Sequence, residues 1–168
     1  MGGSGIGGRI VESLAKYEDI GDILSWSNYG IPAGLSSDDN VICISYSGNT
    51  AETLSVAESA QAVGCKVEVI TTGGKLGKLA ETYGWDRTII ESGHQPRAAL
   101  PLLLKPLLYK INFPNVEKVV EEVLKREFEQ SQIENIALKI FDKIPCIYTE
   151  PLLEPVGYRL SLIHISEP

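Results

Sequence analysis

Short apolar runs alternate with helical stretches along this chain. Val41-Ile42-Cys43-Ile44 is a continuous apolar run of strand length, and Lys66–Thr72 alternates polar and apolar positions with many β-branched residues, so both read as strands. Between them, Ala51–Val63 carries alanine, leucine and glutamate at helical spacing and meets Gly64, the pattern of a helix closed by a glycine cap. Lys75–Tyr83, ended by Gly84, predicts a short helix, and Arg87–Glu91 a further strand. Strands separated by helices of this length form βαβ units with right-handed crossovers, so the expected fold is α/β: a parallel sheet in a three-layer α-β-α sandwich.

The flanks are patterned as well. Arg9–Tyr17 is an amphipathic run behind the loop-like Gly2–Gly8, Ile20–Trp26 reads as a short strand, and Gly30–Asn40 is loop by composition. Arg97–Lys110 predicts an apolar helix kinked by Pro101 and Pro106. Val116–Lys143 is one long charged amphipathic stretch, and Ile144–Tyr148 restarts the β pattern where a domain boundary is expected.

At 168 residues and 43% hydrophobic content, the chain can bury one core. Its formal net charge of −7 argues against nucleic acid or an anionic membrane as partner, since both require a basic footprint. An anion must then be held locally, by backbone dipoles, hydroxyls and one or two cations. Cys43, Cys65 and Cys146 sit in or beside strand-like runs without a CxxC or Cys/His cluster, which reads as three buried thiols in a reducing compartment. No segment has the apolar length of a membrane span, and no basic-then-apolar signal region is present, so the expected location is cytoplasmic.

The candidate chemistry gathers at two places. Strand Val41–Ile44 runs into Ser45-Tyr46-Ser47-Gly48-Asn49-Thr50, which sets three hydroxyls beside the free N–H groups and positive dipole end of the next helix, outside the carboxyl end of a parallel sheet. An ordinary turn with Thr50 as N-cap is the plain alternative. The segment has no lysine after its glycine and is no P-loop. Gly2–Gly8 is the second place. Gly3, Gly5 and Gly8 satisfy GxGxxG, but Met1 precedes them directly and no acidic residue ends the next run, which argues against a dinucleotide site. Arg97 opens a helix, where a cation opposes the dipole, so it is placed against local preference. His94 reads as an exposed loop residue, and no metal-ligand spacing is present.

Gly2-Gly3-Ser4-Gly5, Ser45–Thr50 and Gln95-Pro96-Arg97, in this order and spacing, resemble the sugar isomerase (SIS) domain family. Within it the chain is similar to the bifunctional phosphoglucose/phosphomannose isomerases over about residues 1–160. The resemblance implies a flavodoxin-like doubly wound sheet and two such domains in tandem. It places the first domain at 1–143, lacking its first strand, and the start of the second at 144–160. Residues 161–168 match no family segment and look like translated sequencing adapter. It also implies that Ser45, Ser47 and Thr50 grip a sugar phosphate, that Gly3, Ser4 and Gly5 line the sugar, and that Arg97 steadies an enediolate. No cofactor or metal is implied; the partners implied are a phosphorylated hexose and, for the full-length parent, a second copy in a homodimer.

The reaction implied is isomerisation of glucose 6-phosphate or mannose 6-phosphate with fructose 6-phosphate through a cis-enediol. In this family the base Glu and ring-opening His belong to the second domain and have no counterpart here, so the chain alone is expected to be inactive, with an exposed sheet edge and lowered solubility. The competing reading is a phosphosugar-binding regulatory module without catalysis. Against it stand the absence of a helix-turn-helix or basic segment and the restart of a strand after Lys143.

Overall fold

The computed structural model describes residues 3–95, 98–144 and 146–165. Strands β1 (Asn40–Ser45), β2 (Lys66–Thr71) and β3 (Asp86–Ile89) form one parallel sheet in the order β1-β2-β3. Val41 lies opposite Val67, Ile44 opposite Ile70, and Thr71 opposite Ile89. Helices α2 (Ala51–Ala62) and α3 (Gly74–Tyr83) make the crossovers. Helix α1 (Gly3–Glu18) precedes the sheet, and α4 (Leu100–Lys110), α5 (Val116–Leu124), α6 (Gln130–Ile140), a 3-10 turn at Pro151–Leu153 and α7 (Glu154–Ile165) follow it.

Alternation along the strands sorts the side chains into two cores. Cys43, Val67 and Val69 pack with Ala57 and Ala60 of α2 and with Leu76 and Ala80 of α3. Ile70 faces the other way, onto Val11 of α1 and Leu103, Leu107 and Leu108 of α4, where Ile42 and Ile44 join it. Helices therefore cover both faces of the sheet, as the α/β layering requires. Fully buried residues such as Ile70 and Leu103 each contribute about 1.5–3 kcal/mol of transfer free energy.

One charged cluster pins α4 to the amino ends of the strands. Glu68 is 6% exposed and accepts hydrogen bonds from Lys110 Nζ at 2.5 Å, Lys66 Nζ at 2.7 Å and Asn40 Nδ2 at 3.0 Å. Burial by itself would raise its carboxyl pKa, but the bonds from Lys110, Lys66 and Asn40 prevail and hold it at about 2. Lys110 also reaches Asp86 at 2.7 Å. Burial would lower its ammonium, and the bonds to Asp86 and Glu68 more than offset that, raising it.

Several sequence expectations are corrected. The run after Met1-Gly2 is no loop: Gly3, Ser4, Gly5, Gly7 and Gly8 lie in α1. One of its glycines serves close approach, since a Cβ on Gly8 would stand 2.8 Å from Ser25 Oγ. Ile20–Trp26 forms no strand, because among the described residues β1 pairs only with β2 and no ladder reaches this segment. It is tied down instead by Ser25 N–H to the Glu12 carboxylate and by Trp26 Nε1–H to Gly30 O. Strand β3 starts one residue early and ends at Ile89, although Ile90 N–H still bonds Thr71 O at 2.9 Å.

Helix α4 begins at Leu100, which puts Pro101 in its first turn, where a missing N–H costs nothing; only Pro106 is interior. Val116–Lys143 divides into α5 and α6, parted at 125–129, where Lys125, Arg126, Glu127 and Glu129 leave only Phe128 apolar. Ile144–Tyr148 forms no strand among its described residues, and Cys146 is exposed rather than buried, unlike Cys43 and Cys65. Among the described residues no helix is long and apolar enough to cross a membrane.

Candidate functional site at the carboxyl end of the sheet

Strand β1 ends in a turn that is drawn tight by its own hydroxyls. Ser45 is fully buried; its Oγ accepts the Gly48 N–H at 3.1 Å and lies 2.8 Å from Thr50 Oγ1. Ser47 is exposed, and its Oγ accepts the Asn49 N–H at 3.2 Å. Gly48 carries φ +66°, a left-handed conformation that closes the turn. Thr50 then takes the N-cap position of α2 with extended backbone, yet its side chain makes no capping bond. The first helical bond of α2 runs from Leu54 N–H to Thr50 O. With no partner among the described residues, the N–H groups of Ala51, Glu52 and Thr53 thus form an open helix start with the dipole's positive end behind them.

Helix α3 starts differently, although the two helices follow parallel strands. It too lacks a side-chain cap of its own, but its first-turn donors are taken up by the β1–α2 turn: Leu76 N–H bonds Gly48 O at 2.9 Å and Lys75 N–H bonds Asn49 Oδ1 at 3.2 Å. The turn satisfies α3 and leaves α2 open. Of the two helix starts at this end of the sheet, α2 is the one free to meet an anion.

The turn is also joined to the segment after β3. Tyr46 Oη accepts the His94 N–H at 2.9 Å, which ties the segment after β3 to the side chain of Tyr46. His94 is itself 3.6 Å from Glu91, an ion pair when its imidazole is protonated. Arg97 and Pro96 lie outside the described residues. A cavity of about 630 Å³ borders the site, with Gly5 and Gly8 of α1, Thr50 at the start of α2, and Ile42 and Ile44 of β1 among its walls. It runs along the edge of β1 not paired with β2.

The structure thus brings Ser45, Ser47 and Thr50 together in one turn and sets Gly5 and Thr50 on one cavity. Gly3 and Ser4 are placed by backbone only, in the first turn of α1. Among the described residues no cluster of His, Cys, Asp or Glu is arranged to hold a metal ion. What the arrangement offers is hydroxyls and backbone N–H groups around one anion. Sequence reading missed the second loop, Thr71-Thr72-Gly73-Gly74-Lys75, which supports the first. Its signal was present, since it repeats the strand, hydroxyl, glycine, helix order of Ser45–Ala51.

No protein-family model matches the chain. It is 38% identical over 164 residues to a bifunctional phosphoglucose/phosphomannose isomerase of Caldicellulosiruptor bescii, covering 88% of this chain and 48% of that protein. The protein of the same name from Thermoplasma acidophilum is 37% identical, over 95% of this chain and 51% of the relative. A D-glucosamine-6-phosphate 4-epimerase of Sulfolobus acidocaldarius is 32% identical, over 96% and 53%. The chain spans about half the length of the curated relatives it matches.

Proposed function

Because the chain belongs to the family of the bifunctional phosphoglucose/phosphomannose isomerases, we propose that its hydroxyl turn holds the phosphate of a hexose 6-phosphate in an enzyme that interconverts glucose 6-phosphate or mannose 6-phosphate with fructose 6-phosphate. The observation that carries this reading is the asymmetry of the two helix starts: α3 is capped by the turn, whereas α2 is left open behind Ser47 and Thr50. A phosphate there gains the dipole of α2 and hydrogen bonds from hydroxyls and N–H groups, with no broad basic field. That suits a chain of net charge −7.

The chemistry proposed is ring opening followed by proton transfer between C2 and C1. A base removes the C2 proton of the aldose, the electrons form a cis-enediol, and the proton returns at C1 as the C2 hydroxyl becomes the ketone. Arg97 is assigned to the negative charge that develops on the enediolate oxygens. The base and the ring-opening acid are assigned to residues beyond this chain, so the chain alone binds phosphosugar but does not turn it over. The protein carrying both halves works as a homodimer in this reading.

The Sulfolobus relative gives a second reading, a 4-epimerase acting on glucosamine 6-phosphate. The phosphate handle is common to both, and the reacting carbons differ: C1 and C2 in the isomerase, C4 in the epimerase. Calorimetric titration of fructose 6-phosphate into the full-length protein tests the shared part. Ser47→Ala and Thr50→Ala should each weaken binding about tenfold or more, since hydrogen bonds to a charged group are worth roughly 1.5–3 kcal/mol. Unchanged affinity in both variants removes the phosphate assignment. Turnover of fructose 6-phosphate against glucosamine 6-phosphate then separates isomerase from epimerase.

A further inference from the structure

We propose that the loop Thr71–Lys75 is the mould of the anion-holding turn, with the Thr72 hydroxyl as its positioning group; this rests on the phosphate reading above. The turn's internal bonds, Ser45 to Gly48 and Ser47 to Asn49, are all short-range. Its hold on the rest of the protein comes largely from the second loop. Tyr46 O accepts both the N–H of Thr72 at 3.0 Å and its Oγ1–H at 2.7 Å. Gly48 O and the Asn49 side chain take the N–H groups of Leu76 and Lys75. The loop is itself braced, since Thr71 Oγ1 donates to Gly73 O at 3.1 Å and accepts the Gly73 N–H at 3.2 Å.

The bond to Tyr46 O matters because a peptide is a rigid plane. The carbonyl of Tyr46 and the N–H of Ser47 belong to one trans unit and point to opposite sides. Two donors from Thr72 fix that carbonyl towards the second loop, and so turn the Ser47 N–H away from it, to the side on which the anion is proposed to sit. A backbone donor turned off line loses much of its hold on an oxyanion, since a hydrogen bond weakens steeply once its angle falls below about 120°. The second loop therefore acts on the anion through the turn, without itself touching the anion. Glycine at 74 lets the loops meet: a Cβ there would press on Ser47 O and lie 3.0 Å from the Gly48 carbonyl carbon and 3.1 Å from Asn49 Nδ2.

The test uses the full-length protein and two substitutions. Thr72→Val keeps the shape and the N–H but removes the hydroxyl; Thr72→Ser keeps the hydroxyl. Inorganic phosphate and fructose 6-phosphate are titrated calorimetrically at fixed salt, and kcat and KM are measured beside a thermal melt. Thr72→Val should weaken both ligands about threefold to tenfold, the worth of one neutral hydrogen bond. KM should rise by the same factor at unchanged kcat, because a phosphate handle binds ground and transition states alike, and Thr72→Ser should restore affinity to within about twofold. Unchanged affinity in Thr72→Val, equal loss in both variants, or a fall in kcat at constant KM, as lost folded protein would give, each overturns the proposal. Thr50→Ala separates the two levels. If it weakens binding while Thr72→Val does not, the mould alone fails; if it has no effect, the phosphate reading fails and the mould with it.

Discussion

The α-carbon of Gly48 faces the carbonyl of Gly73 so closely that a methyl group placed on it would stand 2.7 Å from the carbonyl carbon and press on the oxygen itself. Gly48 also sits at φ +66°. Gly48→Ala should therefore cost twice, about 1–2 kcal/mol for the left-handed backbone and about 1–3 kcal/mol for forcing two loops apart. Gly84→Ala isolates the first part, since Gly84 has φ +69° with nothing within 4 Å. Urea denaturation should give a clearly larger loss for Gly48→Ala, and equal losses would mean that the loops do not meet as described.

The Glu68 cluster sets the acid limb of stability. Burial would raise the Glu68 carboxyl, but the bonds from Lys110, Lys66 and Asn40 hold it at about 2, below an unfolded value near 4.5. A depressed carboxyl contributes stability in full above the unfolded pKa and loses it as pH falls through the folded one. Stability should accordingly decline between about pH 4.5 and 2. Glu68→Gln should flatten that limb and cost about 2–3 kcal/mol at neutral pH, by leaving Lys110 with Asp86 alone. Denaturant midpoints measured against pH decide it; an acid limb of the same slope in the variant removes Glu68 as its source.

The thiols should label in two classes. Burial pushes Cys43 up to about 12, so almost none of it is thiolate near pH 8. Cys65 is raised as well, by burial first and then by Asp39, and its Sγ–H donates to Ser36 O at 3.0 Å. Cys146 is exposed. Ellman's reagent at pH 8 should thus consume about one thiol quickly and the other two only with unfolding. Rapid reaction of Cys43 in folded protein would contradict its place in the core between α2 and the sheet.

Arg97 offers a kinetic test of the proposed isomerisation. If its guanidinium stabilises the enediolate, Arg97→Lys in the full-length protein should lower kcat more than it raises KM, because a point charge replaces a rigid fork of donors. A rise in KM alone would make it a binder of the ground-state sugar.

The strands and the hydroxyl turn were readable because their causes are local. Val41–Ile44 and Lys66–Thr71 are apolar runs of strand length, Gly64 and Gly84 stop helices, and three hydroxyls within six residues between a strand and a helix stand out without any knowledge of their neighbours. What escaped depends on neighbours distant in sequence. Gly5 and Gly8 read as loop, yet they are helical, with Gly8 admitting Ser25. Ile20–Trp26 has strand composition but finds no ladder to join. The role of Thr72 shows only once the two loops abut, because nothing in Thr71-Thr72-Gly73-Gly74 by itself names Tyr46 as its partner.

The Lys110 cluster and the hydroxyl turn stand at opposite ends of the same strands, Asn40 at one and Ser45 at the other. Six residues of β1 place these ends about 17 Å apart at roughly 3.3 Å per residue. At that distance two unit charges interact by about 1 kcal/mol even at an effective dielectric of about 20, a quarter of the value at 4 Å. Charge can therefore be gained or lost at the Glu68 end with little change in the field felt by an anion at the α2 end. Tolerance of acid and grip on the proposed phosphate become traits that can drift, or be engineered, one without the other.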